Sequence, residues 1–438
     1  MVELSNFFER LYELLKHEDV AKALCVVLPI SAGLGFWFGQ YFPKHPPYPA
    51  FAPTPTLGPD PKVAELLALI EDLRKQLAVG PEAVVRARNA VAAVGPGLWL
   101  AEPPKFPKNY DVIKSSIPIY TVANLKGGVG KTTIATGLAS YFVNPFDEAG
   151  RERERVLLID LDFQGSLSSM ALTTKDRIPG SGKMSRATRL ISGECTGVDL
   201  VDMHQRVKGL DMLPKGASAE FYAVPAYYDL ARAENRLLVE WLLSDGTHDI
   251  RYNLAKVLLS DDVQKRYDRI IIDAPPRLTT AHVQALAAST HVIIPTVLDQ
   301  MSGEAVGSFV EQAIVHAALW PNLKIIGVVG SMTEWDQDKD LQDYEEEGVL
   351  AINLALEQKK DAYALYGPAT EILPRTTFIP ELKALGRAAG TRIGYLSMGS
   401  DANSRAAADK TRRVFNRLGA EIVRVSPELL ALKDLVRS

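Results

Sequence analysis

Cysteine is nearly missing from this 438-residue chain: Cys25 and Cys195 are the only two, far apart and at no metal-ligand spacing. That argues against a thiolate metal centre and for a reducing cytosol. An excess of charge of one sign is missing too. The 49 Lys and Arg face 53 Asp and Glu, a formal net charge of −4 at pH 7, so no global basic field marks a nucleic-acid binder. No internal repeat is evident, and long apolar character is confined to one stretch, residues 23–42. The length leaves room for one large α/β domain with additions.

What the chain does have is Lys126-Gly127-Gly128-Val129-Gly130-Lys131-Thr132-Thr133, preceded by the apolar residues 117–123 and followed by the helix-like residues 134–142. Strand, Gly-rich turn and helix in that order make a phosphate cradle. Glycines let backbone N–H groups converge on a polyphosphate without Cβ clashes, and the helix N-terminus adds partial positive charge. Lys131 can reach the terminal phosphates, and the Thr132 hydroxyl can hold Mg²⁺. The common spacing G-x-x-x-x-G-K-S/T is not met, because Leu125 stands five residues before Gly130 and a second lysine, Lys126, heads the loop. Residues 155–159 form another apolar run, ending in Asp160-Leu161-Asp162-Phe163-Gln164-Gly165. A third, residues 267–272, ends in Asp273-Ala274-Pro275-Pro276, and residues 291–296 and 324–330 supply two more short buried strands.

The first of these stretches resembles the deviant Walker A loop of the ParA/MinD class of P-loop ATPases. The Asp160 stretch is similar to the family's second motif, usually Asp-x-Asp-x-Gln-Gly, and the Asp273 stretch to its Walker B motif. The motifs stand in the family's order, and the resemblance covers roughly residues 117–425. It implies an α/β fold, a doubly wound, mostly parallel sheet with nucleotide at the carboxyl ends of the strands and, in this chain, an N-terminal helical extension. It implies ATP bound by Gly127, Gly128, Val129, Gly130, Lys131, Thr132 and Thr133, and Mg²⁺ held by Thr132, Asp160 and Asp273. Phosphoryl transfer to water needs positioning and charge neutralisation more than covalent help. The resemblance gives Lys131 and Lys126 the phosphate charge and gives Asp162 the orienting of the attacking water. In this family the lysine at the position of Lys126 reaches the nucleotide of the other subunit. A homodimer formed on ATP binding is therefore implied, with slow hydrolysis stimulated by a partner protein. The iron–sulfur reductases that share the loop need a dedicated cysteine pair, which this chain lacks. One departure stands out. Arg277 follows the two prolines where the family usually has a small residue; it either senses the γ-phosphate or is a surface arginine, and both readings stay open.

Four segments follow: residues 1–42, 43–61, 62–110 and an ATPase domain at 111–438. Residues 2–19 carry Phe7, Phe8, Leu11, Leu14 and Leu15 as a helical apolar stripe, and the uncharged residues 23–42 approach the roughly 20 needed to cross a bilayer. Three readings are open for 23–42: a membrane span, a segment buried against protein, and an interfacial anchor. The expected location is cytoplasmic, with anchoring to the inner face of the membrane as the tethered alternative. Eight prolines between Pro43 and Pro61 make an extended spacer, and residues 62–94 show two amphipathic helical runs that read as an adaptor.

Toward the C-terminus the chain is locally basic, with Lys383, Arg387, Arg392, Arg405, Lys410, Arg412, Arg413, Arg417 and Arg424. In the ParA branch such residues bind DNA non-specifically, whereas Arg405, Asp409, Arg413 and Arg417 at i,i+4 spacing also suit a solvated helix face. Asp343 to Glu347 reads as a solvated acidic turn, and residues 210–214 as one more strand. The leading expectation is a ParA-like partition or positioning ATPase. The alternative is a membrane-associated regulatory ATPase of a multi-protein system without a DNA role. A bacterial tyrosine kinase fits poorly, since Tyr395 is the only tyrosine after Tyr366.

Overall fold

A computed structural model gives the structure of the chain. It describes residues 98–100, 102–107, 110, 115–144, 152–207, 210, 220–244, 248–321, 323–334, 341–358, 372–381, 394–397 and 402–426. The apolar segment 23–42, the Pro-rich spacer and most of the expected adaptor lie outside the described residues. Of the described residues, those from Pro104 onward, Leu242–Ser244 apart, form one compact unit. The remainder include a 3₁₀ turn, Leu98–Leu100.

The unit is built on an eight-stranded sheet of order β3-β4-β2-β5-β1-β6-β7-β8. The strands are β1 (Ile119–Val122), β2 (Val156–Asp160), β3 (Gln205–Arg206), β4 (Phe221–Val224), β5 (Arg269–Asp273), β6 (His291–Val297), β7 (Lys324–Thr333) and β8 (Ile379–Pro380). All neighbours are parallel except β3 against β4. Every residue of β1, β2 and β5 is buried, so these strands are near-continuous aliphatic runs rather than alternating ones, as helices on both faces of a parallel sheet require. The strand expected at 210–214 has only Leu210 among the described residues. Beside β2 lie β5 and β4, the latter four buried residues preceded by Glu220.

The helix after β1, α1 (Lys131–Val143), is buried on almost every side. A helix apolar all round must be covered all round. The C-terminal helix α2 (Ala402–Val425) supplies that cover with Val414, Phe415, Leu418 and Ile422 on one face. Gly137 permits the approach: a Cβ there would stand 2.1 Å from the Phe415 ring. On the outer face of α2, Arg405, Lys410, Arg413 and Arg424 are exposed. The i,i+4 ladder expected there is shifted, because Asp409 pairs with Arg412 at 3.0 Å and Glu421 with Arg424.

One sequence reading changes. The acidic turn is the first turn of a helix, α3 (Asp343–Glu357), and Glu345 is buried rather than solvated. Its carboxylate accepts the N–H groups of Gln342 and Glu334, so the buried acceptor is satisfied. Phe106 and Tyr110 pack within the unit. Phe106 stacks on Tyr110 at 5.0 Å, both rings meet Tyr252, and the Tyr110 hydroxyl donates to the Ala287 carbonyl. Ala287 lies in the last turn of the helix α4 (Thr280–Ala288), whose first turn follows β5. Among the described residues, no helix is long and apolar enough to cross a membrane.

Candidate nucleotide site

The loop between β1 and α1 is held by side chains from neighbouring strands. Asn124 donates through Nδ2 to the Pro295 carbonyl (2.8 Å) and accepts the Lys126 N–H through Oδ1 (3.0 Å). The Ser331 hydroxyl donates to the Val129 carbonyl at 2.8 Å, with the Thr296 carbonyl as a second acceptor at 3.1 Å. Gly130 caps α1 at φ +78°, in the left-handed region that an L side chain resists. The rim is open: Gly127 and Gly128 are exposed, and a Cβ on either would meet nothing within 4 Å. The first amides of α1 lack intrahelical partners, as at any helix start. An open glycine rim over a helix N-terminus fits a polyphosphate.

Beneath the loop the charges are buried and unbalanced. The Lys131 ammonium donates to the Lys126 carbonyl (2.9 Å); burial lowers its pKa, while Asp273 and Asp162 pull it back up. The Thr132 hydroxyl donates to Asp273 Oδ2 at 2.6 Å. Asp273 ends β5 in register with Asp160, which ends β2, so two buried carboxyls face each other one strand apart. Burial pushes both above the usual carboxylate range, and for Asp273 the charge of Asp160 adds to it. A divalent cation between Thr132 and Asp273 would offset that charge. Magnesium usually takes one or two carboxylates plus phosphate oxygens and water, so these residues fit it. Among the described residues there is no all-protein cluster of three or more His, Cys, Asp or Glu placed to hold a metal ion.

Asp160 is placed otherwise than as an open ligand. Oδ2 accepts both the N–H (2.8 Å) and the hydroxyl (2.6 Å) of Ser168, and Oδ1 accepts the Asp162 N–H (3.1 Å). It braces the loop that carries Asp162. Asp162 itself is half-buried and accepts the Gln164 N–H (3.0 Å). Lys126 lies on the rim with its ammonium 3.3 Å from Asp299 Oδ2 and 3.3 Å from Ser302 Oγ. Asp299 caps the helix α5 (Gln300–Val315), accepting the Ser302 N–H. Arg277 is exposed.

The structure thus gathers Lys126, Lys131, Thr132, Asp162 and Asp273 around one loop, with Asp160 just behind. A sequence model of the family described as "AAA domain" matches residues 117–325. The chain is 31% identical over 222 residues to the chromosome-partitioning ATPase Soj of Thermus thermophilus, which covers 50% of this chain and 72% of Soj. It belongs to the ParA-like P-loop ATPases. The chromosome partitioning protein ParA of Caulobacter vibrioides is 28% identical over 275 residues, 61% of this chain and 85% of that protein. An ATP complex of McdA from Cyanothece superposes with a TM-score of 0.50 over 70% of this chain and 97% of McdA at 18% identity, a likeness of fold. The fold of this ParA-like chain is therefore the expected one.

Motif reading missed Ser168, Ser302 and Asp299, which hold the site without belonging to its signature. Asp299 alone left a local trace, an acid just before a helical pattern.

Proposed function

We propose that the chain is a Mg²⁺-dependent ATPase whose ATP-bound form dimerises, and that it works in partition or positioning of DNA or another cargo. The observation that carries this reading is the placing of two lysines, Lys131 beneath the glycine rim and Lys126 on it, over the Thr132–Asp273 pair. Lys131 now bonds a backbone carbonyl of its own loop; exchanging that acceptor for phosphate oxygen gives a charge-assisted contact. Thr132 and Asp273 would hold Mg²⁺, which supplies charge neutralisation on the phosphates. Asp162 orients the attacking water, and Asp160 fixes Asp162 rather than the metal. Lys126 is half-exposed and paired only at the surface, so it can leave Asp299 for a nucleotide across a dimer interface. The partner protein expected to stimulate hydrolysis and the non-specific DNA expected along α2 belong to this reading, supported there by exposed Arg405, Lys410 and Arg413.

The segments 1–42, 43–61 and 62–110 would give the ATPase its address, a membrane or a partner. Fluorescent fusions of the full chain and of a chain starting at Lys62 separate these: nucleoid patterns favour partition, fixed membrane foci favour a tethered regulator. The central test is phosphate release with and without Mg²⁺, alongside molar mass in the presence of a non-hydrolysable ATP analogue. Mg²⁺-dependent release and an analogue-dependent dimer that Lys126→Ala abolishes are expected. A chain that stays monomeric with the analogue overturns the switch.

A further inference from the structure

Glu234 is a buried carboxyl that the phosphate cradle does not use. It lies in the helix α6 (Asp229–Leu243) at 7% exposure, and burial pushes its carboxyl up to about 7. Its contacts converge on one turn of another element. Oε1 accepts the Ala281 N–H (2.9 Å), the Thr279 side chain hydrogen-bonds the carboxyl, and the Thr280 hydroxyl donates to the Glu234 backbone carbonyl (3.1 Å). Thr279 is the N-cap of α4 and the next two residues are its first turn. That turn receives the loop that leaves Asp273 and carries Arg277.

The other end of the same loop is also held by a buried side chain. His282, wholly buried against Phe309, lies with Nδ1 2.9 Å from the Pro275 carbonyl. Burial lowers its pKa to about 4, so the ring is neutral and Nδ1–H is the donor. The segment from Pro275 to Thr279 is therefore clamped at both ends, by the imidazole of its own helix and by the carboxyl of α6. The outer clamp also stands in the field of the site, since Asp162 and Arg277 both act on the Glu234 carboxyl.

A carboxylate at a helix N-terminus usually comes from that helix's own cap. Here Thr279 already provides the cap, and a carboxyl from another helix is added at the exit of the loop after Asp273. We propose that Glu234 is a positioning residue for ATP hydrolysis: by gripping Thr279–Ala281 it sets the path of the loop after Asp273 without touching nucleotide. This rests on the reading of the site as an ATPase. A small displacement of such a loop costs turnover far more than binding, because ground-state contacts tolerate what an attacking geometry does not.

The experiment measures kcat, KM and ATP-analogue affinity for the full chain and for Glu234→Gln, Glu234→Asp and Glu234→Ala, with melting temperature as the fold control. Gln keeps an acceptor for the Ala281 N–H, whereas Asp keeps the charge and withdraws it by one methylene. Gln is expected within about twofold of wild-type kcat, and Asp and Ala are expected to lose about 10- to 100-fold in kcat with KM and analogue affinity within about twofold. If Ala fails to fold, Asp carries the test. An active wild type whose Asp variant keeps its kcat, or loses affinity in step with kcat, overturns this inference alone. A wild type without hydrolysis overturns the parent reading and this one with it.

Discussion

The two ends of β1, β2 and β5 bury charge in opposite ways. At the amino ends, the Arg269 guanidinium is fully buried yet complete: it donates to Glu154 (2.6 and 3.0 Å) and to the Tyr120 hydroxyl (2.9 Å), and it lies 3.8 Å above the Phe142 ring. Burial opposes its charge, but Glu154 and Tyr120 outweigh burial and hold its pKa above the ordinary value. Asp268 beside it takes the backbone N–H and side chain of Arg155. At the carboxyl ends of the same strands, Asp160 and Asp273 are driven toward neutrality and Lys131 is desolvated. Equal burial with unequal charge balance marks the end whose chemistry suits a charged ligand. Charge there is left unbalanced, and it is balanced where only the fold is at stake.

The comparison breaks first at Lys131. Lys131→Ala is expected to lower phosphate release on the order of 10³-fold while the melting temperature of the nucleotide-free chain moves little, because the lost attraction to Asp273 and Asp162 is offset by relief of the ammonium's own desolvation. Arg269→Ala should do the reverse. Stranding a buried Glu154 carboxylate costs about 3–5 kcal/mol in denaturant unfolding, with turnover per folded molecule unchanged. Similar effects of the two substitutions on both readouts would erase the distinction between the ends.

The pH dependence of stability sharpens it. Asp160 and Asp273 are raised in the folded chain, so between the ordinary value of 3.8 and their raised values the native state binds more protons than the unfolded state. Stability of the nucleotide-free protein should therefore contain a contribution that is complete below that ordinary value and is lost as pH rises through the folded values. Asp273→Asn removes one of the two facing charges. It should flatten that slope and stabilise the chain by ~1–2 kcal/mol at pH 8, although it destroys the proposed metal ligand. Mg²⁺ added to the wild type should raise the melting temperature more at pH 8 than at pH 5. Thermal melts across this range check all three expectations.

These results follow what a sequence can and cannot carry. The glycine loop, Lys126, Lys131 and the strand-end acids were legible because each is fixed by residues within a few positions of itself. The aliphatic runs of β2 and β5 likewise announce burial on both faces. Glu154 and Arg269, 115 positions apart, meet only because β2 and β5 pair, and no local pattern marks them. Glu345 shows the converse error. In a run of acids it looks solvated, yet it is buried and accepts the backbone N–H groups of Gln342 and Glu334. Glu234 sits on an amphipathic helix like any surface glutamate, and only the docking of α6 on the start of α4 gives it a task. Pairing is decided by tertiary contact, and the sequence pattern carries only the element.

The smallest expected effect concerns the one charge of the site that lies on its rim. Lys126 and Asp299 are 32% and 40% exposed, so their ion pair contributes at most about 1 kcal/mol. Asp299→Asn is suited to measure it, because Asn caps a helix as well as Asp and can keep the bond to the Ser302 N–H. Only the competition for the Lys126 ammonium is then relieved. Since 1.4 kcal/mol is tenfold in an equilibrium constant, dimerisation with the ATP analogue should tighten by no more than about fivefold for each of the two ion pairs released, with kcat at saturation unchanged. Sedimentation of the two chains at matched analogue concentration decides the matter. A weaker dimer in the Asn variant would mean that Asp299 helps to present Lys126 rather than holding it back.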